Sequence, residues 1–360
     1  MLFETTPIIS GETYEMASRF ALDAQQELAG IADPSAQAAG LEKLWTRIIG
    51  LGWIATAIAE EAGGAGGDLS DLAQLAAGAG RAGLALPIAS GCGVVPALLA
   101  GHAILADVAS GGMRVAVILP GAAQEDEAGG LRAAAVLNGA VVGVETPPNP
   151  THLLIVTEGA EPLLLLFPST APGIETALYL RIDGRLAADW RFTHLAIEPA
   201  CVLARGPAVL ERAAVARDLG ALLTCIECVS AMGALVEQTI QYLLNREQFG
   251  APLASYQALR HRVADMYVEY ENLRGITARA LRATVQGDES WQAIAFAKLR
   301  LGEAGRAVAE AAIQCHGGMG MTEELPAIRL CKRLMMADFE YGNRVFQAAR
   351  LLADGRAEAA

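Results

Sequence analysis

The chain has 360 residues, enough for two or three packed units rather than one small domain. It carries 27 Lys+Arg against 40 Asp+Glu, a formal net charge of −13. An acidic chain with no basic run is not expected to bind nucleic acid, because phosphate contacts need clustered positive charge. With 53% apolar and 19% charged residues, wholesale disorder is excluded as well. Aromatics are only 5%, so the core must come mostly from Ala, Leu, Val and Ile, which suits closely packed helices. Met1 to Glu15 lacks the basic start and apolar core of a signal peptide. The expectation is a cytoplasmic protein whose six scattered cysteines are reduced.

From Thr13 to about Gly111 the spacing is helical, with Ala17, Phe20, Ala21 and Ala24 recurring every three or four residues. Glycines punctuate the region at Gly50–Gly52 and Gly63–Gly67. Ala82 to Ala106 holds no charged residue and is long enough to span a bilayer. Its glycines and prolines, Gly83, Pro87, Gly91, Gly93, Pro96 and Gly101, predict instead a buried loop followed by a short helix, with no membrane span. From Met113 to about Arg205, apolar runs at Val115–Leu119, Leu153–Val156, Leu163–Phe167 and Leu195–Ile197 lie between breaks such as Pro172-Gly173 and Asp183-Gly184. These predict strands of a small antiparallel sheet or barrel.

After Pro207 the pattern is helical again. Helices are expected from Val209 to about Asn245, from an N-cap at Ser255 to about Gln286, from Ser290 to about His316, and from Pro326 to about Leu352. Four long helices with short connections make a bundle. The fold class is therefore mostly α with a middle β domain. The expected units are an N-terminal helical domain over 1–112, a β domain over 113–206 and a four-helix bundle over 207–360, with a frayed tail after Gly355.

Cys225 and Cys228 form a C-x-x-C inside the first bundle helix, without a second pair, and read as small buried side chains. His102, His152 and His194 show no metal spacing, and no metal site is expected. Arg329, Lys332 and Arg333 read as a solvated or interface face of the last helix.

Two segments carry chemistry. Around the end of the first bundle helix stand Arg246, Gln248, Phe249, Gly250, Tyr256 and Gln257. Arg246 can fork onto a diphosphate, Gln248 and Gln257 can hydrogen-bond a ribose or purine, and Phe249 can pack on a ring. Between the third and fourth helices stand Gln314, Gly317, Gly318, Gly320 and Thr322, where glycines let backbone N–H groups approach an anion.

Together and in this order, the R-x-Q-F-G and Q-x-x-G-G-x-G-x-T-x-E elements resemble those of the acyl-CoA dehydrogenase family. Glu60-Glu61-Ala-Gly63-Gly64-Ala-Gly66-Gly67, after Trp53, is similar to that family's N-terminal signature. The resemblance implies the family's three-domain fold, an acyl-CoA substrate, FAD shared across a subunit interface and an electron-transfer flavoprotein as acceptor. It also implies the family's chemistry, in which a carboxylate removes the α-proton of the thioester and the β-hydrogen leaves as hydride to the flavin. The cofactor-binding residues it implies are Arg246, Gln248, Phe249, Gln257, Gln314, Gly317 and Gly318.

The chain departs from the family at its own catalytic centre. The usual base position falls on Tyr341, followed by Gly342 and Asn343, and a phenol with a pKa of about 10 is a poor base. The alternative base position falls on Gly220, and Glu227 is two helical turns further on. Glu340 is the one displaced candidate, read as a neighbour of Tyr341 on a helix, about 100° round the axis. Leu119–Asp126 and Val144–Asn149 stand where the family's flavin- and thioester-contacting strands are expected, and neither keeps the family's pattern.

The elements lent to a neighbour's flavin are kept, while those serving the chain's own flavin are eroded. That asymmetry resembles the small subunits of heteromeric acyl-CoA dehydrogenases, such as the pimeloyl-CoA and steroid side-chain enzymes. The expected partner is a second acyl-CoA dehydrogenase subunit, in fatty acid or steroid side-chain degradation. The alternatives are a homo-oligomeric enzyme using Glu340, or a flavin-free acyl-CoA-binding or scaffolding relative.

Overall fold

The computed structural model describes residues 3–120, 124–125, 136–322 and 324–358. The chain begins with helices α1 (Glu12–Leu28), α2 (Pro34–Gly50) and α3 (Leu69–Arg81). Asp33 caps α2, accepting from the Ala36 N–H ahead of a first-turn proline, and Asp68 with Asp71 forms a capping box on α3. The predicted buried loop is a buried π-helical turn over Ala89–Val94 leading into the short α4 (Val95–Leu98), then α5 (Leu105–Ala109).

Among the described residues, the middle region holds two four-stranded sheets, one of them with a parallel pair, where the sequence predicts a small antiparallel sheet or barrel. Its strands are β1 (Val115–Ile118), β2 (Gln124–Glu125), β3 (Val136–Glu145), β4 (His152–Val156), β5 (Leu163–Pro168), β6 (Ile174–Leu180), β7 (Leu186–Ala196) and β8 (Val202–Arg205). The first sheet has the order β1-β4-β5-β8, and β1 pairs with β4 in parallel, Val115 opposite His152. The second has the order β2-β3-β7-β6 and is antiparallel. Inward residues of both sheets, including Leu137, Phe167 and Trp190, share one apolar core.

The C-terminal region is built on α6 (Ala208–Asn245), which is long and apolar enough to cross a membrane but is buried inside the protein. A small hairpin, β9 (Glu247–Gln248) and β10 (Ala251–Pro252), leads to α7 (Gln257–Gln286) and α8 (Trp291–His316). Helix α7 starts after Tyr256, not at Ser255, whose hydroxyl instead donates to the Pro252 carbonyl within a short 3-10 turn. Cys225 and Cys228 are buried side chains of α6.

The expected fourth helix is not continuous. It is split into α9 (Pro326–Met336) and α10 (Arg344–Glu358) by a 3-10 turn at Ala337–Phe339 and by left-handed backbone at Tyr341 (φ 51°) and Gly342 (φ 89°). Lys298 of α8, fully buried, donates to the carbonyls of Ala337 (2.8 Å) and Asp338 (3.1 Å). Asp338 Oδ1 accepts from the Arg344 N–H, which starts α10, and Gln347 donates to the Tyr341 carbonyl. The break is thus held by buried polar groups on both sides.

The N-terminal helices pack directly on the bundle. Gly80 of α3 leaves no room for a Cβ against the Glu227 carbonyl of α6, so the two helices meet there in backbone contact. This contact places Glu227 beneath the sheet region.

Candidate functional site

A cavity of about 660 Å³ opens between the second sheet, the α9–α10 break and Ser90. Its walls include Ile118, Val142, Val144, Ile182, Phe339 and Phe346. Its polar lining includes Ser90, Glu145, Arg181, Asp189, Glu340 and Tyr341. The ring of Tyr341 lies against Gly220: a Cβ built on Gly220 would come within 2.5 Å of the ring's Cε1. The two positions that sequence reasoning marked as base sites are therefore in contact, and neither carries a carboxylate.

Beneath the cavity lies a buried ionic network. Arg333 of α9 spans two carboxylates, donating to Glu227 (2.8 and 3.1 Å) and to Glu340 (2.8 Å to each oxygen). Arg181 donates to Glu340 (2.7 Å) and to Asp183 (2.6 Å). Arg185 donates to Glu145 (2.8 Å), to the Leu84 carbonyl (3.1 Å) and to Glu227. The turn at Asp183-Gly184, with the Arg181 N–H bonded to the Arg185 carbonyl, delivers three members of the network from one five-residue segment.

Sequence reasoning took Arg333 for part of a solvated or interface face, yet it is 2% exposed and is the hub of the network. It missed Arg181, Asp183, Arg185 and Glu145. Glu340 lies in the helix break, so the 100° offset from Tyr341 argued for a helix does not apply. Burial alone would raise the Glu340 carboxyl, but the charges of Arg333, Arg181 and Arg185 outweigh it and hold the group well below the usual carboxylate range. Glu145 moves the other way. Burial, then the nearby Glu340, push it above the usual range despite Arg185. Burial and the neighbouring Glu145 and Glu340 push the Tyr341 phenol well above its ordinary value. Neither Tyr341 nor Gly220 carries a carboxylate, and Glu340 is held in ion pairs with Arg333 and Arg181.

The second group of predicted residues lies elsewhere. Arg246 follows the last residue of α6, 26 residues or about 39 Å of helix from Gly220. Arg246, Gln248, Gln257, Gln314, Gly317 and Gly318 are all exposed, and Phe249, at the tip of the β9–β10 hairpin, is 91% exposed. The ends of α6 and α8 are tied together by Tyr242, whose ring packs on His316 (centroids 4.5 Å apart) and whose hydroxyl donates to the His316 carbonyl. The structure so brings both predicted segments to one end of the bundle. The Arg246 guanidinium has no hydrogen-bond partner among the described residues.

Residues 211–353 match the model of the acyl-CoA dehydrogenase C-terminal domain. IpdE2 of Mycobacterium tuberculosis, an acyl-CoA dehydrogenase, is 36% identical over 107 residues, 30% of this chain and 32% of that protein. Among solved structures, a variant of the Tcur3481–Tcur3483 steroid ACAD superposes with a TM-score of 0.78 at 25% identity, covering 96% of this chain and 99% of that one. The ChsE4–ChsE5 complex from Mycobacterium tuberculosis gives a TM-score of 0.81 at 22% identity, covering 98% and 99%. Over residues 211–353 the chain carries the C-terminal domain of the acyl-CoA dehydrogenase family.

The sequence match spans about a third of the length of IpdE2, whereas the fold match spans nearly the whole chain. The segments Leu119–Asp126 and Val144–Asn149, where the sequence departs from the family's pattern, lie outside the matched residues 211–353. Of these, 121–123 and residue 126 of Leu119–Asp126 lie outside the described residues. Val144–Asn149 ends β3 at Glu145, and Pro147 and Pro148 follow it without backbone donors.

Proposed function

We propose that this chain is the supporting subunit of a heteromeric acyl-CoA dehydrogenase. On this reading it completes the FAD site of a partner subunit and carries no base of its own. The observation that carries the reading is the contact of Tyr341 with Gly220: both base positions lack a carboxylate, and the ring occupies the space a side chain at 220 would need.

The residues at the far end of the bundle fit an FAD reached from a neighbouring subunit. Arg246 offers a planar set of donors, unpartnered among the described residues and suited to a diphosphate. Gln248 and Gln257 offer exposed amides, and the Phe249 ring is exposed for stacking. Two of the nearby glycines have structural reasons: Gly317 has φ 58°, and a Cβ on Gly320 would come within 2.5 Å of the Ile313 carbonyl. Gly318 has neither reason and faces open space, which suits a backbone approached by a ligand. When bound, the flavin supplies the hydride acceptor, and the partner supplies the carboxylate that removes the α-proton.

The chain's own cavity fits a flavin and thioester poorly. Glu145 stands at the end of the strand that should meet the ring, and Glu340 is held by two arginines. The homo-oligomeric alternative, with Glu340 as base, lacks support from this geometry. Two structural neighbours, the Tcur3481–Tcur3483 steroid ACAD and the ChsE4–ChsE5 complex, pair two different chains and support the heteromeric reading. The proposed substrate is the CoA thioester of a fatty acid or steroid side chain, with an electron-transfer flavoprotein as acceptor. The test is flavin content: little for the chain alone, and a filled site once a base-bearing partner is present. A stoichiometric flavin on the chain alone overturns the reading.

A further inference from the structure

The ion pairs beneath the cavity join Arg181, Arg185 and Arg333 to Glu145, Asp183, Glu227 and Glu340, three cations to four carboxyls among the described residues, while fully buried Lys298, which also acts on Glu340, is set among carboxylates first against Asp338. All seven side chains are at least nine-tenths buried. A surplus charge in such a place is costly, and a carboxyl relieves it by holding its proton. The hydrogen bonds single out which one. Glu340 receives three donors on its two oxygens, Glu227 is spanned by Arg333 and Arg185, and Asp183 is bonded at both oxygens by Arg181. Glu145 receives one, from Arg185 to Oε1, and its Oε2 has no hydrogen-bond partner among the described residues. Glu145 also lines the cavity, where the surrounding surface is mostly apolar.

We propose that Glu145 is the neutral member of the buried network and offers its carboxylic O–H into the cavity, making the cavity a receptor for neutral, ring-sized apolar molecules that carry a carbonyl acceptor. Anionic ligands are refused, because Glu340, Asp189 and the balanced network leave no uncompensated cation on the lining among the described residues. The charged and titratable groups facing Glu145 are Arg185 and Arg181 from the β6–β7 turn, Arg333 from α9, and Glu340 and Tyr341 from the helix break. The inference concerns the chain's own cavity, so it stands or falls apart from any flavin completed in a partner.

Two measurements test it on the full chain. Infrared spectroscopy at neutral pH is expected to show a buried carboxylic-acid C=O band that is absent from Glu145→Gln. No such band, or a band that survives in the variant, overturns the assignment. Equilibrium dialysis then compares naphthyl methyl ketone, ethylnaphthalene and naphthoate. The ketone is expected to bind and naphthoate not. The ketone-to-ethylnaphthalene affinity ratio is expected to persist in Glu145→Gln, which keeps a neutral donor, and to fall roughly tenfold in Glu145→Leu, which keeps the bulk but not the donor. Equal ratios in all three proteins, or binding of naphthoate in preference to the ketone, contradict the proposal. Because Glu145→Gln preserves charge balance, it remains informative even if Glu145→Leu fails to fold.

Discussion

The ring of Tyr341 and the backbone of Gly220 are in contact, and each needs the other. Tyr341 sits at the break between α9 and α10 in left-handed backbone, and Gly220 is the α6 residue that leaves space for its ring. At neither position does a carboxylate stand; the contact is the packing of an aromatic ring on a helix backbone.

This contact is measurable. Gly220→Ala forces a Cβ into the Tyr341 ring, an overpacking of about 1–3 kcal/mol. Helix propensity returns about 1 kcal/mol, so the net change of the single variant is small. The double-mutant cycle with Tyr341→Ala is decisive, with an expected coupling of about 1–3 kcal/mol by denaturant unfolding. Additive single-variant effects would show that the ring and the glycine do not meet.

Glu340→Gln is expected to destabilise the fold by about 3–5 kcal/mol, since it leaves Arg333 and Arg181 short of a buried counter-charge. The sign with pH follows from the lowered carboxyl. Its contribution is complete above the ordinary carboxylate pKa and is lost as pH falls towards the lower folded value. The gap between wild type and Glu340→Gln therefore closes on acidification, measured as unfolding midpoints from pH 7 downward. A constant gap contradicts the ion pairs.

Glu145 has the opposite slope. Its carboxyl is raised, so the folded state holds a proton that the unfolded chain gives up, and stability falls as pH rises above the ordinary carboxylate value. Glu145→Gln removes that slope and costs little at neutral pH. A loss as large as that of Glu340→Gln would show that Glu145 is ionised in the fold.

Lys298→Met keeps the volume but leaves the carbonyls of Ala337 and Asp338 without their donor. An expected loss of about 2–4 kcal/mol follows from two orphaned buried acceptors. Proteolysis at the break should rise in parallel. An unchanged protein would mean the break is held by packing alone.

Much of the architecture was legible because its signals are local. Val209 to Asn245 holds no proline and only the isolated Gly220 and Gly233, and it lies within α6. Asp183-Gly184 announced a turn and formed one. The missed features depend on tertiary partners. The Pro326–Leu352 stretch reads as one helix, but buried Lys298 draws the Ala337 and Asp338 carbonyls out of it. Arg333 reads as part of a solvated or interface face because its partners, Glu227 and Glu340, lie 106 and 7 residues away. Strand β3 has a burial pattern interrupted by glycines and bulges rather than a strict alternation, which hid it from period-two reading. In the candidate site, the exposed residues Arg246, Gln248, Phe249 and Gln257 were legible from their motif, whereas the cavity's network of seven titratable side chains has no motif at all.

The central claim is that this chain supports a partner's flavin instead of using its own. It is tested most directly by native mass and flavin stoichiometry, for the chain alone and for the chain co-expressed with an acyl-CoA dehydrogenase chain that keeps the carboxylate base. The account predicts little flavin on the chain alone, and about half a flavin per chain in a mixed tetramer, lowered further by Arg246→Ala without loss of fold. One flavin per chain in a homo-oligomer that oxidises an acyl-CoA would contradict it.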